Sequence, residues 1–137
     1  MKKMAVIGAG TMGNGIAHVL AQAGFSVALI DVSAEQLAKA LTTIGKNFDR
    51  QIAKGSLAAE VKESSLKNIT THTSLEVGVK DAELVIEAAT ENTDLKLKIF
   101  QQVDEYAPEG CILATNTSSI SITKIAAVTR RPQQVIG

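Results

Sequence analysis

Three glycines within six residues, Gly8-Ala9-Gly10-Thr11-Met12-Gly13, fall where a short apolar run gives way to a helical pattern, and no other stretch constrains the fold so tightly. Met4 to Ile7 reads as a buried strand that ends in the glycines. From Thr11 to Ala23, the residues Met12, Ile16, Val19, Leu20 and Ala23 recur at three- and four-residue steps, predicting a helix stopped by Gly24. A glycine turn in this setting can serve chain reversal alone, but strand, turn and helix in that order also make an anion site. Gly8 allows the tight turn, Gly10 leaves room for a pyrophosphate, and Gly13 lets helix and strand pack closely. Free N–H groups near Thr11 and Met12, with the positive end of the helix dipole, supply the attraction.

The same alternation continues along the chain. Phe25 to Ile30 is a second strand that stops at Asp31. Ser33 with Gln36 reads as a capping box, and Leu37, Leu41, Ile44, Phe48 and Ile52 carry a long amphipathic helix to Gly55. A shorter helix is expected over Leu57 to Leu66, then strands over Asn68 to Thr73, Leu84 to Ala88 and Cys111 to Thr115. Leu95, Ile99, Phe100 and Val103 mark the helix between the last two, closed by Pro108 and Gly110. A helix over Ser121 to Val128 and a strand over Gln134 to Ile136 complete the pattern. Strands alternating with helices predict an α/β fold, a doubly wound parallel sheet of the Rossmann dinucleotide-binding type, as a single domain over residues 1–137.

Asp31 lies about 20 residues beyond the glycines, where a carboxylate accepts both ribose hydroxyls of an adenosine. A 2′-phosphate there would meet like charge with no Arg or Lys immediately following, so NAD is expected rather than NADP. Taken without the glycines, an Asp before Ser33 would read simply as a turn opener.

Composition narrows the partners. Aromatic residues are 3% of the chain, too few to stack single-stranded nucleic acid, and Lys+Arg and Asp+Glu balance at 14 each, so no global field draws a polyanion or an acidic membrane. The single cysteine, Cys111, excludes an internal disulfide and a Cys-rich zinc site. The apolar run after Lys2-Lys3 breaks at Gly8, too early for a signal core or a membrane span. A cytoplasmic domain with no metal, no nucleic acid and no membrane partner is expected.

Ligands of doubly wound sheets lie beyond the C-terminal strand ends, here Thr90-Glu91-Asn92 with Lys96, and Asn116-Thr117-Ser118-Ser119. Read alone, Ser118 or Ser119 would cap the helix near Ser121, and Glu91 and Lys96 would be a surface charge and a helix-start residue. Lys39, Lys46, Arg50 and Lys54 form a basic stripe, which by itself is the solvated face of a helix. His18 and His72 lie in the first helix and near the end of the third strand, away from where a catalytic base would stand.

The segments AVIGAGTMGNGIA, QIAKG, VIEAATEN and ATNTSSISIT together resemble the N-terminal NAD-binding domain of the 3-hydroxyacyl-CoA dehydrogenases, across essentially the whole chain. The resemblance implies an oxidoreductase of fatty acid metabolism that moves a hydride between the 3-hydroxyl of an acyl-CoA and NAD. It implies that Glu91 and Lys96 contact the nicotinamide end, that Asn116 lies near the same ring, that Ser118 hydrogen-bonds the substrate oxygen and that Lys54 touches CoA. Asn47 stands where the family usually has a Ser that contacts CoA. It further implies that the catalytic His and its orienting Glu come just after the sixth strand, and that a C-terminal helical domain completes the substrate pocket and forms a homodimer. This chain alone is therefore expected to be inactive. A free-standing NAD-binding regulatory module and a domain of another β-hydroxyacid dehydrogenase are the alternative readings.

Overall fold

The computed structural model describes residues 2–90, 92–116 and 121–137. Six parallel strands form one sheet in the order β3-β2-β1-β4-β5-β6, made by β1 (Lys3–Ile7), β2 (Ser26–Ile30), β3 (Ile69–His72), β4 (Leu84–Glu87), β5 (Ile112–Thr115) and β6 (Val135–Ile136). The chain winds outward from β1 in one direction and then from β4 in the other, so the expected doubly wound Rossmann sheet is the fold found. The helices are α1 (Thr11–Gln22), α2 (Ala34–Ala53), α3 (Ala59–Lys67), α4 (Leu75–Val79), α5 (Thr93–Tyr106) and α6 (Ile122–Ala126). None of the described helices is long and apolar enough to cross a membrane.

Alternate residues of the strands feed two separate cores, as a sheet covered on both faces requires. Ala5, Ile7, Val85 and Leu113 pack with Phe100, Val103 and Ile125 on the face of α5 and α6. Val6, Val27 and Leu29 pack with Ala17, Ala21, Leu37, Ile44 and Phe48 on the face of α1 and α2.

Three local details differ from expectation. Helix α4 was not expected, because five residues containing two valines and a glycine show no helical period; Ser74 caps it by accepting from the Val77 N–H at 3.4 Å. The apolar stripe of α1 faces the core only in part, through half-buried Ile16 and Leu20. Its buried residues are Gly13, Ala17, His18 and Ala21, while Met12 is 57% and Val19 64% exposed. The capping box at Ser33 is only half formed: Ser33 Oγ accepts from the Gln36 N–H, but the Ser33 N–H goes to Asp31 Oδ1 at 2.9 Å rather than to Gln36.

The last strand is fastened to α5 by a buried guanidinium. Arg131 Nε donates to Asp104 Oδ1 at 2.7 Å, and its other nitrogens donate to the carbonyls of Asp104 and Ala107 at the end of α5 and of Pro108 and Cys111 in the loop that follows. Burial pushes the Asp104 carboxyl up, but donors from Arg130 and Arg131 outweigh it and hold it below the usual carboxylate range. Burial also pushes the Cys111 thiol up to about 11, so it is an inert packing residue.

Two outcomes follow from this packing. A Cβ at Gly13 would stand 1.7 Å from the Gly8 carbonyl oxygen, whereas one at Gly15 meets nothing within 4 Å. Gly13→Ala should therefore lower the unfolding free energy by ~3 kcal/mol or more, while Gly15→Ala should raise it by about 0.5–1 kcal/mol, both read by urea denaturation. The depressed Asp104 carboxyl stabilises the fold at pH values above the ordinary carboxylate range, and this contribution disappears as pH falls below about 4. Asp104→Asn should flatten that acid limb, measured as a smaller drop in stability between pH 7 and pH 3 than in the parent.

Candidate functional site

Gly8 has a φ of +102°, and a Cβ there would lie 2.7–2.9 Å from backbone atoms of Ala88 and Ala89. The turn after β1 is thus pressed against the segment leaving β4, while Gly13 presses α1 onto Gly8 from the other side. Gly10 differs. A Cβ there would meet only Gln36 Nε2, at 4.0 Å, so nothing in the protein's own packing calls for a glycine. Gly10 is also the N-cap of α1 and offers no side-chain hydrogen bond to the helix end, whereas Ser33, Asn92 and Ser121 cap α2, α5 and α6. The amides of the first turn of α1 therefore remain to be satisfied from outside the helix.

Asp31 stands at the end of β2 beside this turn. Its Oδ2 accepts from the Ala9 N–H at 3.0 Å and its Oδ1 from the Ser33 N–H at 2.9 Å. Each oxygen keeps a lone pair for a further donor, because a carboxylate has about four acceptor positions. Asp31 lines a recess with Val32, Leu95 and Ile99, apolar surface that suits a flat ring.

A second cleft, of about 490 Å³, opens between residues 10–12 and residues 88–90, with Lys96 and Asn116 completing its wall. Behind it lies a buried polar cluster. Lys96 Nζ is 2.5 Å from Glu87 Oε1 and donates to Thr115 Oγ1 at 3.3 Å, and Thr115 Oγ1 in turn donates to Glu87 Oε1 at 3.1 Å. Glu87 Oε2 accepts from the N–H groups of Ala89 at 2.8 Å and Thr90 at 3.2 Å. The Glu87 side chain is 1% exposed, as is that of Lys96, so Lys96, at the start of α5, is a buried and ion-paired residue.

The structure thus places Gly8 and Asp31 on one recess and Gly10, Thr11, Met12, Lys96 and Asn116 on the neighbouring cleft, both at the switch point between β1 and β4, with Gly13 packed behind Gly8. Glu91 and Ser118 lie outside the described residues. The helix near Ser121 is capped by Ser121 itself, whose Oγ accepts from the Lys124 N–H at 3.4 Å, rather than by Ser118 or Ser119. Lys54 is the exposed C-cap of α2, on the same helix as exposed Lys39, Lys46 and Arg50. His18 stacks on Phe48 with ring centroids 4.1 Å apart and bonds to Gln22 and Gln51, and His72 bonds to Thr70, so neither faces the crevice. Glu87 and Thr115 were not anticipated. The signal for Glu87 was a lone carboxylate closing an apolar strand, with a lysine nine residues on; Thr115 gave none.

A parallel sheet in this order, a glycine turn, an uncapped helix end and an acid at the end of β2 define a dinucleotide-binding domain. Residues 3–137 match the family described as 3-hydroxyacyl-CoA dehydrogenase, NAD binding domain, and the chain belongs to that family. It is therefore an NAD-binding domain. Across all 137 residues it is 47% identical to a 3-hydroxybutyryl-CoA dehydrogenase of Bradyrhizobium diazoefficiens and 44% identical to the 3-hydroxyadipyl-CoA dehydrogenase of Escherichia coli, covering 46% and 29% of those proteins. The crystal structure of the (S)-3-hydroxybutyryl-CoA dehydrogenase PaaH1 of Ralstonia eutropha superposes with a TM-score of 0.94 at 45% identity, over 98% of this chain and 47% of that one. The chain spans less than half the length of these relatives.

The buried pair makes its own prediction. Lys96→Met leaves the Glu87 carboxylate without its cation and should cost about 3–5 kcal/mol, whereas Glu87→Gln combined with Lys96→Met should recover most of that loss. Equilibrium unfolding of the two single variants and the double variant measures the coupling.

Proposed function

We propose that the chain is the cofactor-binding part of an NAD-dependent 3-hydroxyacyl-CoA dehydrogenase, in which the catalytic base and most of the acyl pocket belong to the rest of the enzyme. The observation that carries this reading is Gly10, a glycine that the protein's own packing does not need, placed at an open helix end beside Asp31. Pyrophosphate would rest against Gly10, Thr11 and Met12, held by first-turn amides and the helix dipole, with Gly8 and Gly13 fixing the shape of the turn. Asp31 would accept the adenosine ribose hydroxyls on its remaining lone pairs.

The nicotinamide end would then extend into the cleft of Lys96 and Asn116, with Glu91 beside it. When bound, NAD supplies the hydride acceptor. Ser118 would hold the substrate oxygen, and Lys54, on the basic face of α2, would meet the CoA. The two described histidines are packed elsewhere, which agrees with a base supplied by a further, helical domain. The apolar stripe of Met12, Ile16 and Val19 borders the cleft and offers such a domain a surface to cover. A cytoplasmic homodimer joined through that domain is the assembly this reading implies.

Gly10→Val tests the binding step. Its side chain would enter open space, so stability should stay within ~1 kcal/mol of the parent while NADH affinity falls at least about tenfold, followed by NADH fluorescence. Unchanged affinity would count decisively against the site. Joined to the remaining half of the Bradyrhizobium relative, the chain should oxidise a 3-hydroxyacyl-CoA, and alone it should not.

A further inference from the structure

We propose that Glu87 is the positioning residue of the cofactor cleft, acting with Thr115 to set the nicotinamide end far more than the adenosine end; this rests on the cofactor reading above. Glu87 is the last residue of β4 and lies opposite Thr115, the last residue of β5, in the sheet register. From that one position it reaches every segment that walls the cleft on the β4–β5 side. Its Oε2 holds the Ala89 and Thr90 amides, its Oε1 holds Lys96 and Thr115, and its main-chain carbonyl accepts from the Asn116 N–H at 3.0 Å.

The three side chains form a closed ring with a fixed sense: Lys96 donates to Thr115, Thr115 donates to Glu87, and Lys96 donates to Glu87. An ammonium carries three N–H groups, and two are directed by this ring, which orients the third. Lys96 also lines the cleft, so the ring determines where that last donor points. A charged pair this deep is a costly way to stabilise a fold, since apolar residues of similar volume do as well or better. Its position directly behind the 88–90 segment gives it a different use. None of its members bonds to Asp31 or to the turn residues 9–10, and of the residues lining the Asp31 recess only Ala89, through its backbone amide, is held by Glu87.

The test compares NADH with ADP-ribose, which lacks only the nicotinamide, on the 137-residue chain. Glu87→Gln should weaken NADH by about tenfold or more, as expected when a buried charged partner is lost, and leave ADP-ribose within about twofold. Thr115→Val should weaken NADH by roughly threefold to tenfold with the same indifference to ADP-ribose, and Thr115→Ser, which keeps the hydroxyl, should restore the parent value. If Glu87→Gln does not fold, the threonine pair decides. Equal losses for both ligands, or no loss of NADH in Thr115→Val, would overturn the proposal by showing a merely structural cluster. If the parent chain binds neither ligand, the cofactor reading itself fails.

Discussion

Everything at the ligand-binding edge depends on three pieces of backbone meeting without side chains between them. The Gly8 carbonyl occupies the place a Cβ on residue 13 would take, and the Ala88–Ala89 peptide occupies the place of one on residue 8. Strand β1, helix α1 and the exit from β4 therefore converge at main-chain distance, which aims the end of α1 at the switch point of the sheet. Gly10 stands apart from this economy of space. Two of the three glycines are explained by the fold, and the third leaves open space that the proposed cofactor would use.

Polar groups at this edge are arranged in two unlike ways. Asp31 is partly exposed and tied only to backbone, which leaves it further acceptor capacity. Glu87 is buried, with partners for both carboxylate oxygens, and among the described residues no buried side-chain nitrogen or oxygen lacks a partner. In the reading proposed above, one acid would offer acceptors to the ligand and the other would organise the wall the ligand touches.

The sheet was legible in the sequence because its strands are short runs rich in apolar or β-branched residues set between helical segments, and long α2 because Leu37, Ile44 and Phe48 keep helical period and do face the core. Shorter or less regular pieces were not. Helix α4 has too few residues to show a period, and the apolar stripe of α1 is only half a guide, since close backbone approach puts Gly13, Ala17 and Ala21 innermost, with Ile16 and Leu20 at the margin and Met12 and Val19 exposed. At the site, glycines and Asp31 announce themselves through spacing along the chain. Glu87 and Thr115 lie 28 residues apart and become neighbours only through the pairing of β4 with β5, which no local pattern encodes.

Asp31 has one more consequence. Before any ligand arrives, the Ala9 and Ser33 amides have already fixed both of its oxygens. The carboxylate therefore gives up little freedom when hydroxyl groups reach it, and the turn it braces need not assemble around the visitor. A nucleotide bound as proposed would then meet an edge that keeps its shape between one visitor and the next.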